Sequence, residues 1–190
     1  MKTVFFDVDT QLDFLYPAGA LYVAGAEQIV PALAQLTQFA AAKRFQIIST
    51  ADAHSEDDPE FKIWKPHCIA GTDGQQKAAV TKVANAITLG SAAEASATQI
   101  IVEKQQLDAF SNPNLRPLLT AIAADRYILY GVVTELCVRC AAQGLLETGA
   151  RVHLVTDAVK SLSIADEQSF IAQFQARGGT LITTSAMLSE

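Results

Sequence analysis

The chain is predicted to fold as α/β, a three-layer α/β/α domain around a mostly parallel six-stranded sheet. Two observations carry this expectation. Strand-length apolar runs alternate with helix-patterned segments along the 190 residues, and residues able to do chemistry recur just where those runs end. Parallel strands cannot be joined by tight hairpins, so the intervening helices must cross over and cover both faces of the sheet. The length suits a single domain, 1–190, and a 50% hydrophobic composition can fill its core.

Each element follows from local pattern. Residues 3–9 open with an apolar strand. Residues 27–44 are an Ala- and Leu-rich helix in which Pro31 is tolerable only near the first turn. Residues 45–50 form the second strand. Residues 51–77 are polar and punctuated by Pro and Gly, too long for an ordinary connection and therefore read as functional. Strands at 99–104 and 126–131 flank a helix at 115–124. A helix at 135–148 stops at Gly149. The strand 151–157, the helix 166–177 ending at Gly178-Gly179, and the strand 180–184 complete the chain.

Composition narrows the partners. A net charge of −6 with no basic stripe argues against nucleic acid. No apolar run approaches the ~18 residues of a membrane span. The first residues acquire acids too early for a secretory signal. Three cysteines without such a signal point to free thiols in a reducing cytoplasm. The Ala-rich, apolar character is compatible with a homo-oligomer.

In an open parallel sheet, sites lie beyond the carboxyl ends of the strands. Asp9, Thr50, Asp52, Lys104 and the segment Gly131 to Cys137 all fall there. Cys137 stands where a glycine breaks an apolar run and a helical pattern begins. Helix amides and a lysine would favour its thiolate. Asp9 could accept the thiol proton and return it to a leaving amine. Lys104 would balance the charge. Asp52, His54 and His67 form a metal-like set suited to Zn, Fe or Mn, with Glu60 as a fourth candidate. Asp57 and Asp58 read as solvated turn residues. Phe14 and Trp64 could form a slot for a flat ring. Of the three acids Asp7, Asp9 and Asp13, at least one must face solvent or a cation.

Two other readings compete. Cys137-Val-Arg-Cys140 has the spacing of a redox pair, yet every proline precedes it, whereas a thioredoxin-like fold needs one after; Cys140 then reads as a small buried apolar residue. Asp7-Val-Asp9-Thr10 has the form of a haloacid-dehalogenase-type phosphatase motif with Asp7 as nucleophile, which leaves Cys137, His54 and His67 without work.

Taken in order, four segments resemble a known family. Asp9-Thr-Gln-Leu-Asp13-Phe14 is similar to the opening motif of isochorismatase-like cysteine hydrolases. Thr50-Ala-Asp52-Ala-His54, Trp64-Lys-Pro-His67-Cys68 and Gly131-Val-Val-Thr-Glu-Leu-Cys137-Val resemble its nicotinamidase branch. The resemblance implies a six-stranded parallel sheet, a triad of Asp9, Lys104 and Cys137, and a divalent metal, zinc first, on Asp52, His54 and His67. It also implies a cis peptide before Val133, with the amides of Val133 and Cys137 as an oxyanion hole. Glu60 stands where some members carry another histidine. The expected reaction is hydrolysis of nicotinamide, or a similar small carboxamide, to the acid and ammonia through a cysteine thioester. The alternative within the family is a hydrolase of another small amide, ureide or vinyl ether.

Overall fold

The computed structural model describes residues 1–90 and 96–190. Among these described residues, seven strands form one sheet in the order β3-β4-β2-β1-β5-β6-β7, and every neighbouring pair is parallel. The strands are β1 (Thr3–Val8), β2 (Gln46–Asp52), β3 (Ile87–Thr88), β4 (Gln99–Lys104), β5 (Arg126–Val132), β6 (Arg151–Lys160) and β7 (Thr180–Ile182). The helices are α1 (Leu12–Leu15), α2 (Val30–Ala42), α3 (Leu115–Ile122), α4 (Arg139–Leu146), α5 (Ile164–Ala176) and α6 (Thr184–Leu188).

The expected six strands are therefore corrected to seven. The additional one, β3, is two residues long and pairs only with Ile100 and Ile101 at the sheet edge. Two residues carry no readable alternation, which is why the sequence hides it. Short α1 and α6 escape for the same reason. Pro31 sits in the first turn of α2, behind a 3₁₀ turn at Ala26–Ile29, where its missing N–H breaks no helical bond.

Alternation along β1 builds both apolar layers. Val4, Phe6 and Val8 face α3, α4 and α5, while Phe5 faces α2 and α6. From β1 the chain first builds outward through β2 and β4, then returns to the other side of β1 with β5. The strand order thus reverses between β1 and β5, and the crevice at their carboxyl ends is where such a sheet binds ligands. Gly131 lets the two strands meet there. Its φ is +119°, and a Cβ would lie 2.1 Å from the Val8 carbonyl oxygen. Among the described residues no helix is long and apolar enough to cross a membrane.

All three early acids are buried. Asp13 accepts the amides of Ala20 and Cys68 at 2.8 and 2.7 Å. Asp7 meets a cation: its Oδ2 lies 2.9 Å from Lys77 Nζ, and both side chains are sealed from solvent. Ser49 and Thr10 donate to the same oxygen. Asp7 is thus closed off as a nucleophile, which removes the basis of the phosphatase reading. The pair also fastens the end of the 51–77 loop to the sheet. Lys77→Met would strand a buried carboxylate, so we expect a loss of about 3–5 kcal/mol in urea unfolding, largely recovered when Asp7→Asn is added.

Candidate active site and metal centre

Asp9 follows the last residue of β1 with φ +50°, a conformation held by its surroundings. Its amide donates to the Thr50 carbonyl at 3.2 Å, and Thr50 Oγ1 donates to Asp9 Oδ1 at 2.6 Å. Lys104, the last residue of β4, reaches across β2 to three groups. Its Nζ lies 2.9 Å from Asp9 Oδ2 and 3.7 Å from Cys137 Sγ, and it bonds Asp52 Oδ1. Cys137 comes from the other side of the crevice. After β5 a cis peptide joins Val132 to Val133, and a π-helical turn at Thr134–Val138 places the sulfur. The π turn, rather than the α-helical start expected from sequence, is closed by the Val138 amide on the Val133 carbonyl at 3.1 Å.

The electrostatics differ from the expected resting thiolate. Burial pushes the Cys137 thiol well above its ordinary range; Lys104 opposes this, while Asp9 and Asp52 add to it. A nearby cation and helix amides do not outweigh the loss of water around sulfur. Burial likewise raises Asp9, against Lys104. Burial disfavours the charged form of Lys104 too, but Asp52 and Asp9 overcome it and hold the ammonium protonated well above its usual range. Burial thus favours the neutral thiol, and the Lys104 ammonium stands beside both the sulfur and the Asp9 carboxyl.

Asp52 is shared by two centres. Its Oδ1 meets Lys104, while its Oδ2 lies 3.9 Å from His54 Nε2 and 3.8 Å from His67 Nε2. Ligand atoms of these three residues fall within 4.8 Å of one another. Each histidine is oriented through its other nitrogen. His54 Nδ1 bonds Asp58 Oδ2 at 3.0 Å, and His67 Nδ1 bonds the Lys65 carbonyl at 2.7 Å. Both Nε2 atoms are left to face the carboxylate, and His54 Nε2 is buried with no hydrogen-bond partner among the described residues. An orphaned imidazole nitrogen beside a carboxylate oxygen fits a divalent cation with nitrogen and oxygen preference, zinc among them. Glu60 lies on the adjoining wall and feels Asp52, His54 and His67, but it is outside the set whose ligand atoms converge.

Both centres open into one cavity of about 110 Å³. Asp9, Asp52, His67 and Cys137 form its floor, and Phe14, Trp64, Leu136 and Leu162 are among its walls. Phe14 packs against His67 with ring centres 5.4 Å apart. The structure thus brings Asp9, Lys104 and Cys137 together, sets Asp52, His54 and His67 beside them, and places Phe14 and Trp64 in the same cavity lining.

Others were missed. Asp58, read as solvated, is buried, caps the 3₁₀ turn at Pro59–Lys62 through Oδ1 and orients His54 through Oδ2. The Asp-Pro step was its only sequence signal. Gln11 Nε2 donates to the Asp52 carbonyl at 2.8 Å and its Oε1 accepts the Asp52 amide at 2.8 Å. That clamp fixes the backbone of the shared carboxylate. Cys140 is half-buried and Cys68 fully buried, both as free thiols.

A family model described as Isochorismatase domain matches residues 3–186. Among curated relatives, isochorismatase domain-containing protein 2 of Danio rerio is 39% identical over 64 residues, which cover 34% of this chain and 32% of that protein's length. The chain thus matches about a third of that relative. Crystal structures agree over far more. A pyrazinamidase/nicotinamidase from Streptococcus mutans superimposes with a TM-score of 0.83 at 29% identity, covering 95% of this chain and 100% of that one. The pyrazinamidase of Pyrococcus horikoshii in complex with zinc gives 0.83 at 26% identity, covering 96% and 99%.

Proposed function

The chain belongs to the isochorismatase family, and on that premise we propose that it is a cysteine amidohydrolase that converts nicotinamide, or a closely similar ring carboxamide, to the acid and ammonia. The observation that carries this reading is Lys104 Nζ standing between Asp9 and Cys137 while Asp52 ties it to two oriented histidines. The likeness to a pyrazinamidase/nicotinamidase supports the substrate class.

The chemistry proceeds from the protonation states. Asp9 takes the Cys137 proton as sulfur attacks the carboxamide carbon, so a full thiolate need not exist in the free protein. Lys104 offsets the negative charge that this transfer leaves behind. Amides of Val133 and Cys137 face the developing oxyanion; a donor of that type contributes about 3–4 kcal/mol. Asp9 then passes its proton to the departing amine, and ammonia leaves. Water attacks the thioester, with Asp9 as base, and releases the acid. A divalent cation held by Asp52, His54 and His67 supplies a Lewis acid for the ring nitrogen. Phe14 and Trp64 flank the ring and keep it from water.

The test is ammonia release from nicotinamide by the purified protein, before and after chelation. We expect release that falls on metal removal and returns on adding Zn²⁺. No release from nicotinamide by metal-loaded protein, with release from another small carboxamide, would transfer the assignment to that substrate. No release from either would end it.

A further inference from the structure

Glu135 is an acid two residues before Cys137, yet it takes no part in the chemistry above. It is 7% exposed, and its carboxylate reaches the loop joining β6 to α5. Its Oε1 accepts the amides of Leu162 at 2.9 Å and Ser163 at 3.0 Å. Its Oε2 is buried with no partner among the described residues, so the tie runs through one oxygen. Ser163 is the N-cap of α5, its Oγ accepting from the Asp166 amide. The carboxylate therefore also meets the positive end of a 13-residue helix.

What this holds in place is Leu162. That side chain is 54% exposed and still lines the cavity beside Leu136 and Cys137. A half-exposed leucine on a surface loop has little packing to fix it. Its position follows the backbone, and Glu135 holds that backbone at two consecutive amides, next to the Ser161–Glu167 hydrogen bond. We propose that Glu135 is a positioning residue that fixes Leu162 as the outer wall of the cavity, so that the β6–α5 loop determines which carboxamides reach Cys137. This rests on the cavity being the carboxamide site. It extends that reading by assigning a size filter to residues outside the triad and the metal set.

Two readouts separate the ideas. With nicotinamide, Glu135→Ala should raise KM about tenfold while kcat stays within about threefold, the pattern of lost uniform binding. Glu135→Gln keeps an acceptor oxygen and should behave as the parent. The second readout needs no substrate. Cys137 is alkylated with iodoacetamide and with its N-phenyl derivative, and the product is located by peptide mass spectrometry. In each case a C–S bond forms, iodide leaves and the thiol proton is lost to solvent. We expect Glu135→Ala and Leu162→Ala each to raise the ratio of aromatic to small reagent rates about tenfold, and Glu135→Gln to leave it unchanged. Where Glu135→Ala does not fold, Glu135→Asp keeps the charge, shortens the reach and should shift the ratio in the same direction. An unchanged ratio in the folded Glu135 variant and in Leu162→Ala would overturn the proposal. So would a Gln variant that matches Ala. A parent protein inert to nicotinamide would sink the substrate assignment, while the alkylation ratio would still decide the role of Glu135.

Discussion

Cys137→Ala should release no measurable ammonia from nicotinamide, a loss on the order of 10⁴–10⁶-fold in kcat if the sulfur is the nucleophile. The fold should survive, because removing one sulfur from the end of a turn leaves Val138 and Ala141 packed beneath it. The buried cation makes the expectation sharper. Lys104 would remain between Asp9 and Asp52, and the metal set would be intact, so substrate should still bind and metal content should be unchanged. Cys137→Ser is the more searching variant. It restores a hydroxyl in the same place, but a serine hydroxyl is far less acidic than a thiol and needs a stronger base than a carboxylate beside a lysine. We expect it to resemble Ala, not the parent. The measurement is single-turnover ammonia release with zinc content determined on the same samples. Turnover near the parental rate in Cys137→Ala would refute the mechanism.

The chemistry-bearing residues were legible from sequence because strand ends are legible. Each of Asp9, Asp52, Lys104 and the turn to Cys137 follows an apolar run of β-branched or aromatic residues, and a parallel sheet brings such ends to one edge whatever the order of its strands. The state of the thiol was not legible. Helix amides and a lysine predict a thiolate, but whether a sulfur keeps its water depends on the whole fold, and here burial prevails. The supporting residues were hidden for a different reason. Gln11, Asp58 and Glu135 act on backbone groups or ring nitrogens 27 to 41 positions away, or on a neighbour in a turn. Apart from the Asp58-Pro59 step, nothing in their own neighbourhood separates a polar side chain that clamps a backbone from one that meets solvent. Strand β3 was missed because two residues show no period, and the π turn because its sequence is also a good helix start.

Asp52→Asn should be the most damaging change outside the nucleophile, since a single carboxylate serves both centres. Oδ2 is the only anionic contributor among the three converging ligands, and Oδ1 is one of two carboxylate oxygens that keep Lys104 charged. An asparagine has nearly the same shape, so the loss would be of charge. Zinc content should fall to a small fraction of one per chain, and ammonia release should drop at least about 10³-fold, more than for a change to an orienting partner, which typically weakens metal affinity 10–100-fold. Asp58→Asn, which reaches the metal set through His54 and otherwise caps the turn at Pro59–Lys62, is that milder case and should recover activity at high Zn²⁺. Asp52→Asn should not recover. The two also differ at sulfur. Asp52 is one of the charges that raise the Cys137 thiol, so removing it lowers that pKa, and the pH profile of Cys137 alkylation in metal-stripped protein should move to lower pH. Asp58→Asn should leave the profile where it was. A thiol made easier to ionise in a protein that has lost turnover would separate nucleophile activation from the binding of metal and substrate, and would place Asp52 at the junction of the two. Rescue of Asp52→Asn by Zn²⁺ alone, with no shift in the alkylation profile, would reduce it to an ordinary ligand.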